Sequence, residues 1–458
     1  MFQELKKAKT LKEIYTILGI APFEKAAFIL LCVWCLLPIY AAIDQIHYGL
    51  ADLSMTGKFY ATMEGYRMGF QFVGSLSLIF SVFYLMGRIV MNRGQILKKI
   101  KSEPWHFLLL AMLLWSCIST LLSDDIVTSF QGTQYRFDGL KSYFYYAAMY
   151  VCAFIVFQSN KRKLVFNIFT MVANITGLIL ILQDFGVKLV NQCFFQDERS
   201  AMFFQFNHTG YFLNMSIVCL MGLYIYESKL WLRIYYALAL AFQVYAILVN
   251  STFGAYLGSC CALVMIWVFF IRKNRKFSYR LLTPVLIVFA ISFASYMGWV
   301  PTSSGEDMKV NLQELTADAQ NILEDSENAK RAGHGRMTLW QQGLKMIPRR
   351  PIFGYGPEQM DKELSAIMWV DRPDNEFIQH AVFLGIPGLL FYLGALITLF
   401  IRQWIHMRKL DDTTLIAAGC VVAYLVSSLF GNTMFYTVPY LYMFLAMASG
   451  RNTEECEK

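Results

Sequence analysis

The feature that most constrains this chain is its recurring long apolar runs, at about 26–43, 68–88, 105–123, 140–158, 164–183, 208–226, 230–250, 252–271, 281–300, 377–401, 413–431 and 435–450. A helix needs about 20 mostly apolar residues to cross the hydrocarbon of a bilayer. Composition agrees: the chain is 57% hydrophobic and 16% charged, where a soluble chain carries roughly 25% charged residues. Such a chain cannot be dissolved as one globule. The sequence predicts an all-α polytopic membrane protein of about twelve transmembrane helices.

The placement of lysine and arginine sets the expected orientation. Residues 1–25 place Phe2, Leu5, Ile14, Tyr15 and Leu18 among lysines, which predicts an amphipathic segment on the cytoplasmic membrane face. The first apolar run is long and no small-residue cleavage pattern follows it, so it reads as a retained helix rather than a signal peptide. The clusters Arg93-Lys98-Lys99-Lys101, Lys161-Arg162-Lys163 and Arg272-Lys273-Arg275-Lys276-Arg280 then share the cytoplasmic side. The expectation is a multi-pass protein of the plasma membrane with both termini cytoplasmic, ending in a tail at 451–458. The net charge of +8 reflects this topology. No basic-aromatic interleaving points to nucleic acid. Most of the ten cysteines lie inside apolar runs, without metal-ligand spacing, so no cofactor or metal is expected.

Residues 26–300 hold runs one to nine and 377–450 hold the last three. Between them, 301–376 form a long polar stretch, predicted to be an extracytoplasmic helical loop. Val310, Leu312, Leu315, Ala319, Ile322 and Leu323 mark one helix face. Met337, Leu339, Trp340, Leu344 and Ile347 mark another, ended by Pro348. Turns follow at Pro351 and Gly354–Pro357, and a third helix is expected over Glu358–Trp369. Together they read as a helical cap over the mouth of the bundle.

Four stretches could carry chemistry. In Gly333–Trp340, Gly-His-Gly-Arg opens a predicted helix. A helix start offers free N–H groups to an anion, and Arg336 adds a fork that fits phosphate oxygens beside His334. The bland alternative is a glycine turn with an exposed arginine. In Glu198–Leu213, Arg199, Gln205, Asn207 and His208 stand at the end of a run. They suit sugar hydroxyls or phosphate, or are an ordinary interfacial belt. Ser251–Gly258 reads as a tight turn into a helix that packs through Gly254, Ala255 and Gly258. Last, Asp371, Arg372, Asp374, Asn375 and Glu376 crowd against an apolar run, with His380 a turn further on. Asp374 is either a general base or the N-cap of the helix, with Glu376 in its first turn.

In order and spacing, these stretches resemble the O-antigen ligase and O-antigen polymerase family of integral-membrane glycosyltransferases. The resemblance covers roughly Arg199–Leu396. It rests on Phe-x-Gln-Phe-Asn-His, Ser-Thr-x-Gly-Ala-Tyr-x-Gly, Gly-x-Gly-Arg-x-x-x-Trp, Pro-Ile-Phe-Gly-Tyr-Gly-Pro and Arg-Pro-x-Asn-Glu-Phe-Ile-Gln. It implies a GT-C-like fold and transfer of a glycan from a polyprenyl (undecaprenyl) pyrophosphate carrier, on the outer face of the membrane. The acceptor would be a glycan or a lipid-linked sugar, and the reaction inverting and without a required metal. By this match Arg336 meets the leaving pyrophosphate, Asp374 is the base, and Arg199, Asn207, His208, His334, Arg372, Asn375 and Glu376 bind substrate. The chain departs from the family pattern where Asp374 replaces a histidine and Phe253 replaces a basic residue.

The leading expectation is therefore a glycan ligase acting at the bilayer surface. A polysaccharide polymerase of the same family would use the same donor. A lipid-linked glycan transporter or flippase, or an inactive family member, are readings of a different class. The spans hold few charges, which counts against a transporter.

Overall fold

The computed structural model describes residues 8–51, 54–91, 102–134, 136–157, 161–187, 189–190, 199–274, 280, 282–300, 309–310, 313–314, 316–317, 320, 333, 335–360, 372–432 and 434–450. Among them the regular structure is entirely helical. In chain order the helices are α1 (Leu11–Leu18), α2 (Ala21–Leu50), α3 (Met55–Met91), α4 (Pro104–Leu121), α5 (Ile126–Gln131), α6 (Leu140–Phe157), α7 (Arg162–Asp184) and α8 (Phe206–Tyr226). Then follow α9 (Leu230–Asn250), α10 (Phe253–Asn274), α11 (Leu282–Tyr296), α12 (Arg336–Met346), α13 (Glu376–His406), α14 (Asp412–Ser428) and α15 (Val438–Ala448). Nine are long and apolar enough to cross a membrane, and α11, α14 and α15 are shorter apolar helices. The protein is a multi-pass membrane protein, and each of these helices falls on one of the twelve apolar runs.

The bounds differ where polar side chains find partners. α2 continues past Pro38 to Leu50, well beyond its run, because Gln45 donates to the carbonyl of Met202 at 2.9 Å. α3 starts early with Glu64 and Arg67 paired on its surface. The amphipathic α1 lies against α3 and buries Tyr15, whose hydroxyl donates to the carbonyl of Phe83 at 2.6 Å. Of the helices expected in 301–376, Arg336–Met346 is present. The expected helix from Val310 to Leu323 lies largely outside the described residues. Glu358 stands in a turn at φ 63°, not at a helix start, and 361–370 lie outside the described residues.

The centre of the bundle is α8, buried along nearly its whole length. It packs against α7, α9, α10 and α14. Asn214 stitches this core: its Nδ2 donates to the Ala423 carbonyl at 2.7 Å and to Ser427 Oγ at 2.6 Å, and its Oδ1 accepts from Ser259 at 2.9 Å. Gly258 permits the approach, since a Cβ there would lie 2.4 Å from the Ala423 oxygen. The expected packing role of Gly254, Ala255 and Gly258 is realised between α10 and the α14 region.

One end of the bundle is closed by ion pairs between helix ends: Lys163–Glu227, Arg162–Asp411 and Lys273–Asp412. The basic partners come from the clusters that predicted one membrane side. Burial pushes the Glu227 carboxyl up. The Lys163 ammonium and the backbone N–H groups of Lys229 and Ser228 outweigh that effect and bring it down to about 2.

The other end is organised by a break in α13. Gly385 adopts φ 71° and ψ 178° inside the helix, a conformation essentially open only to glycine. Two residues on, Pro387 has no N–H to give. The carbonyls freed by the break are answered by distant groups. Tyr355 N–H donates to Val382 and Gly356 N–H to Phe383, both at 2.9 Å. Trp115 Nε1 donates to Leu384 at 2.9 Å and Ser119 Oγ to Phe383 at 2.8 Å. In return, Ile386 N–H donates to Pro351 at 2.8 Å. The Pro-Ile-Phe-Gly-Tyr-Gly-Pro stretch thus runs alongside the broken helix as a clamp built of turns.

Two predictions follow from these contacts. A Cβ on Gly385 would lie 2.1 Å from the Ile352 oxygen, whereas one on Gly298, also at φ 71°, meets nothing within 4 Å. Gly385→Ala should therefore cost about 3 kcal/mol or more and Gly298→Ala about 1; equal shifts in thermal unfolding midpoint would refute the clamp. Glu227 titrates near 2 when folded against an ordinary 4.5, so its contribution is complete above 4.5 and is lost as pH falls toward 2. Unfolding midpoints at about pH 7 and about pH 3 should differ less in Glu227→Gln than in the unsubstituted protein.

Candidate active site

Asn375 opens α13. Its Oδ1 accepts from the N–H groups of Phe377 and Ile378 at 3.0 and 3.1 Å, and its Nδ2 donates to the Leu429 carbonyl at 3.1 Å. The reading in which Asp374 caps this helix is overturned: the amide one residue later holds that place. Asp374 itself takes a left-handed backbone, φ 48°, which aspartate tolerates better than most residues. Its Oδ1 accepts from Asn432 Nδ2 at 3.0 Å, and its Oδ2 lies 3.9 Å from Arg336 Nε.

Arg336 is the first residue of α12. Gly333 and Gly335 precede it at φ 63° and 84°, so the glycines of this motif make the sharp turn that starts the helix. Gly343 lets α12 settle on the start of α13, since a Cβ there would lie 2.6 Å from Ile378. Trp340 reaches the Asp374 carbonyl with Nε1 at 3.4 Å. These contacts bring two sequence-distant charges together. The two side chains are 24% and 26% exposed, and Arg336 Nε has no hydrogen-bond partner. The pair is attracted without a closed hydrogen bond between Nε and Oδ2, and each side chain keeps a partly exposed edge.

The first turns of α8 approach from the same end. His208 is fully buried, with Nδ1 3.3 Å from Thr437 Oγ1 and Nε2 unpartnered. Asn207 is buried beside it. Gly431 closes tightly on Tyr211 of α8, which sets Asn432 between α8 and Asp374. Arg199 is partly exposed, and its carbonyl accepts from Asn250 Nδ2 at 2.9 Å. Asn250 also binds the Phe206 carbonyl at 3.1 Å, so the turn at Ser251 holds the 199–208 segment in place. His334 and Asp371 lie outside the described residues.

Glu376 points into the bundle. It accepts from the Tyr392 hydroxyl at 2.8 Å and lies 3.5 Å from His380 Nε2, while its Oε2 is unpartnered. Arg372 is buried as deeply, 2% exposed. Its guanidinium binds Asp138 at 3.1 Å and also Glu358. Tyr146 donates to Asp138 at 2.6 Å and Thr133 to Glu358 at 2.8 Å. This network ties α6 to the 351–360 turn and to the start of α13.

Asn432, Asp138, Glu358 and Tyr392 escaped the reading of the sequence. Asn432 had a signal: a Gly-Asn step between two apolar runs marks a turn at a membrane face. Nothing in sequence couples Asp138 to Arg372, more than two hundred residues away.

Residues 237–393 match the sequence family described as O-Antigen ligase. The chain is also 30% identical over 135 residues to the General O-oligosaccharyltransferase of Acinetobacter baylyi. That match covers 27% of this chain and 22% of the relative. The family match takes in α10, α12, the clamp and the Asp374–Glu376 stretch, and so spans the open Arg336–Asp374 pair.

The two arginines should respond differently to removal. Arg372→Met leaves two buried carboxylates uncompensated and should cost about 3–5 kcal/mol. Arg336→Met disturbs a half-open pair and should cost about 1 kcal/mol or less. Similar losses in thermal unfolding would show that both are structural.

Proposed function

We propose, from the premise that residues 237–393 are an O-antigen ligase-type domain, that this protein transfers a glycan from a polyprenyl pyrophosphate carrier to an acceptor at the outer membrane face. The observation that carries the reading is the open pair of Arg336 and Asp374, 3.9 Å apart at the start of a broken helix. Asp374 takes the proton of the acceptor hydroxyl as its oxygen attacks the anomeric carbon. The bond from that carbon to the carrier phosphate breaks, and its electron pair leaves with the pyrophosphate. Arg336 meets the growing charge on those oxygens. Attack opposite the leaving group inverts the anomeric centre. One base suffices, because the lipid pyrophosphate leaves without needing a proton.

The neighbours support these roles. Asn432 orients Asp374 through its 3.0 Å hydrogen bond. His208 is buried one helix away, where its ring also interacts with Asn432, and we assign Asn207 and Arg199 of the same segment to the substrate. Arg372, bound on two sides, acts through position rather than contact. In this arrangement the 301–376 segment is extracytoplasmic and the ion-paired end of the bundle cytoplasmic.

The test uses purified protein in lipid with a polyprenyl-pyrophosphate glycan as donor, following carrier release and the length of the products. Unelongated glycan on a different acceptor identifies a ligase, and lengthened lipid-linked chains identify a polymerase. Asp374→Asn should slow transfer by about 10²–10⁴-fold while donor still binds. Arg336→Ala should weaken donor binding and slow transfer by about 10²–10³-fold. Wild-type turnover in both variants would remove the site, and no carrier release from any donor would remove the function.

A further inference from the structure

Helix α11 packs with one face against α9. Its other face, Val285, Val288, Phe289, Ser292, Phe293 and Tyr296, looks across a cavity of about 550 Å³ to Tyr256, Cys260, Val264 and Trp267 on α10. Both sets follow helical spacing, so each is a single stripe. α10 begins beside the candidate site and α11 ends there, so the groove has an end at the site. There Tyr256 and Ser292 join their hydroxyls at 2.7 Å, and Lys309 stands over the Tyr296 ring at 5.3 Å. The remaining lining is apolar.

We infer that this groove binds the hydrocarbon chain of the polyprenyl carrier, with its head group at Arg336. The inference rests on the proposed function and adds the seat of the lipid. Three observations favour this occupant. The first is continuity: Asp374 touches Trp340, Trp340 lies against Phe430 with ring centroids 6.4 Å apart, and Phe430 covers Gly254 at the start of α10. The second is shape. From Tyr256 to Trp267 the groove runs about 16 Å along the helix. A slot of that length and of about 550 Å³ suits a stretch of one branched chain laid along the helix. The third is lining: Tyr256, Trp267, Phe289, Phe293 and Tyr296 offer ring faces to an unsaturated, methyl-branched chain.

The test probe is a long-chain polyprenyl pyrophosphate with a photoreactive diazirine on its terminal isoprene, bound to the full chain in lipid nanodiscs and mapped by mass spectrometry. Adducts should fall on the α10 and α11 stripes. They should drop about tenfold or more with excess unlabelled probe, and likewise in Val264→Trp and in Val288→Trp, which fill the groove. Val264 is exposed to the groove, whereas Val288 lines it and also packs against the core, and whichever variant keeps the wild-type unfolding midpoint carries the test. Adducts undiminished in the folded variants overturn the inference, as does equal labelling of the groove by a diazirine phospholipid. Glycan transfer measured in parallel separates the two readings. Transfer with adducts scattered elsewhere overturns the groove alone, and groove adducts without transfer from any donor overturn the function alone.

Discussion

Every backbone group inside hydrocarbon must find a partner within the protein, and the break in α13 is where that demand shapes the rest of the molecule. At Gly385 the helix turns aside, and carbonyls that would have been satisfied within the helix are left open. The Tyr355 and Gly356 amides, the Trp115 indole and the Ser119 hydroxyl answer them. Those partners come from the long segment before α13 and from α4, so closing the break fixes both against the bundle. Because the clamp runs directly on from α12, fixing it also fixes the helix that carries Arg336. The distance from Arg336 to Asp374 therefore depends on hydrogen bonds made around a glycine in neither residue's vicinity.

The membrane architecture was legible because its signal is long and summed. Each apolar run draws on many residues, so a Pro38 inside the first run does not erase it. What composition could not show was how far a helix continues once a polar side chain finds a distant acceptor, as Gln45 does at Met202. The Gly333–Trp340 motif was legible for a related reason: two glycines before an arginine specify a turn into a helix locally, and the structure has that turn.

The charged stretch before α13 was legible as a group and not residue by residue. Asp374, Asn375 and Glu376 are adjacent, and capping chemistry suits the first two almost equally. The structure gives the cap to Asn375, whose amide also reaches the Leu429 carbonyl, a second bond that a carboxylate could not donate. Arg372 shows the same limit. Its charge is visible in the sequence, but its partners Asp138 and Glu358 are set by how α6 and the clamp come together.

The contrast between the two arginines bears on how a site survives in so apolar a chain. A buried guanidinium needs full compensation, and Arg372 has it from two carboxylates that are themselves held by Tyr146 and Thr133. Such a cluster has no remaining attraction to offer a ligand. Arg336 has the opposite situation: one carboxylate 3.9 Å away, a nitrogen without a hydrogen bond, and a side chain that stays partly exposed. Field from the pair extends toward whatever enters, and the cost of keeping it open is small because both groups stay partly solvated. The fully paired network around Arg372 thus holds in place the elements on which the loosely paired Arg336 and Asp374 stand.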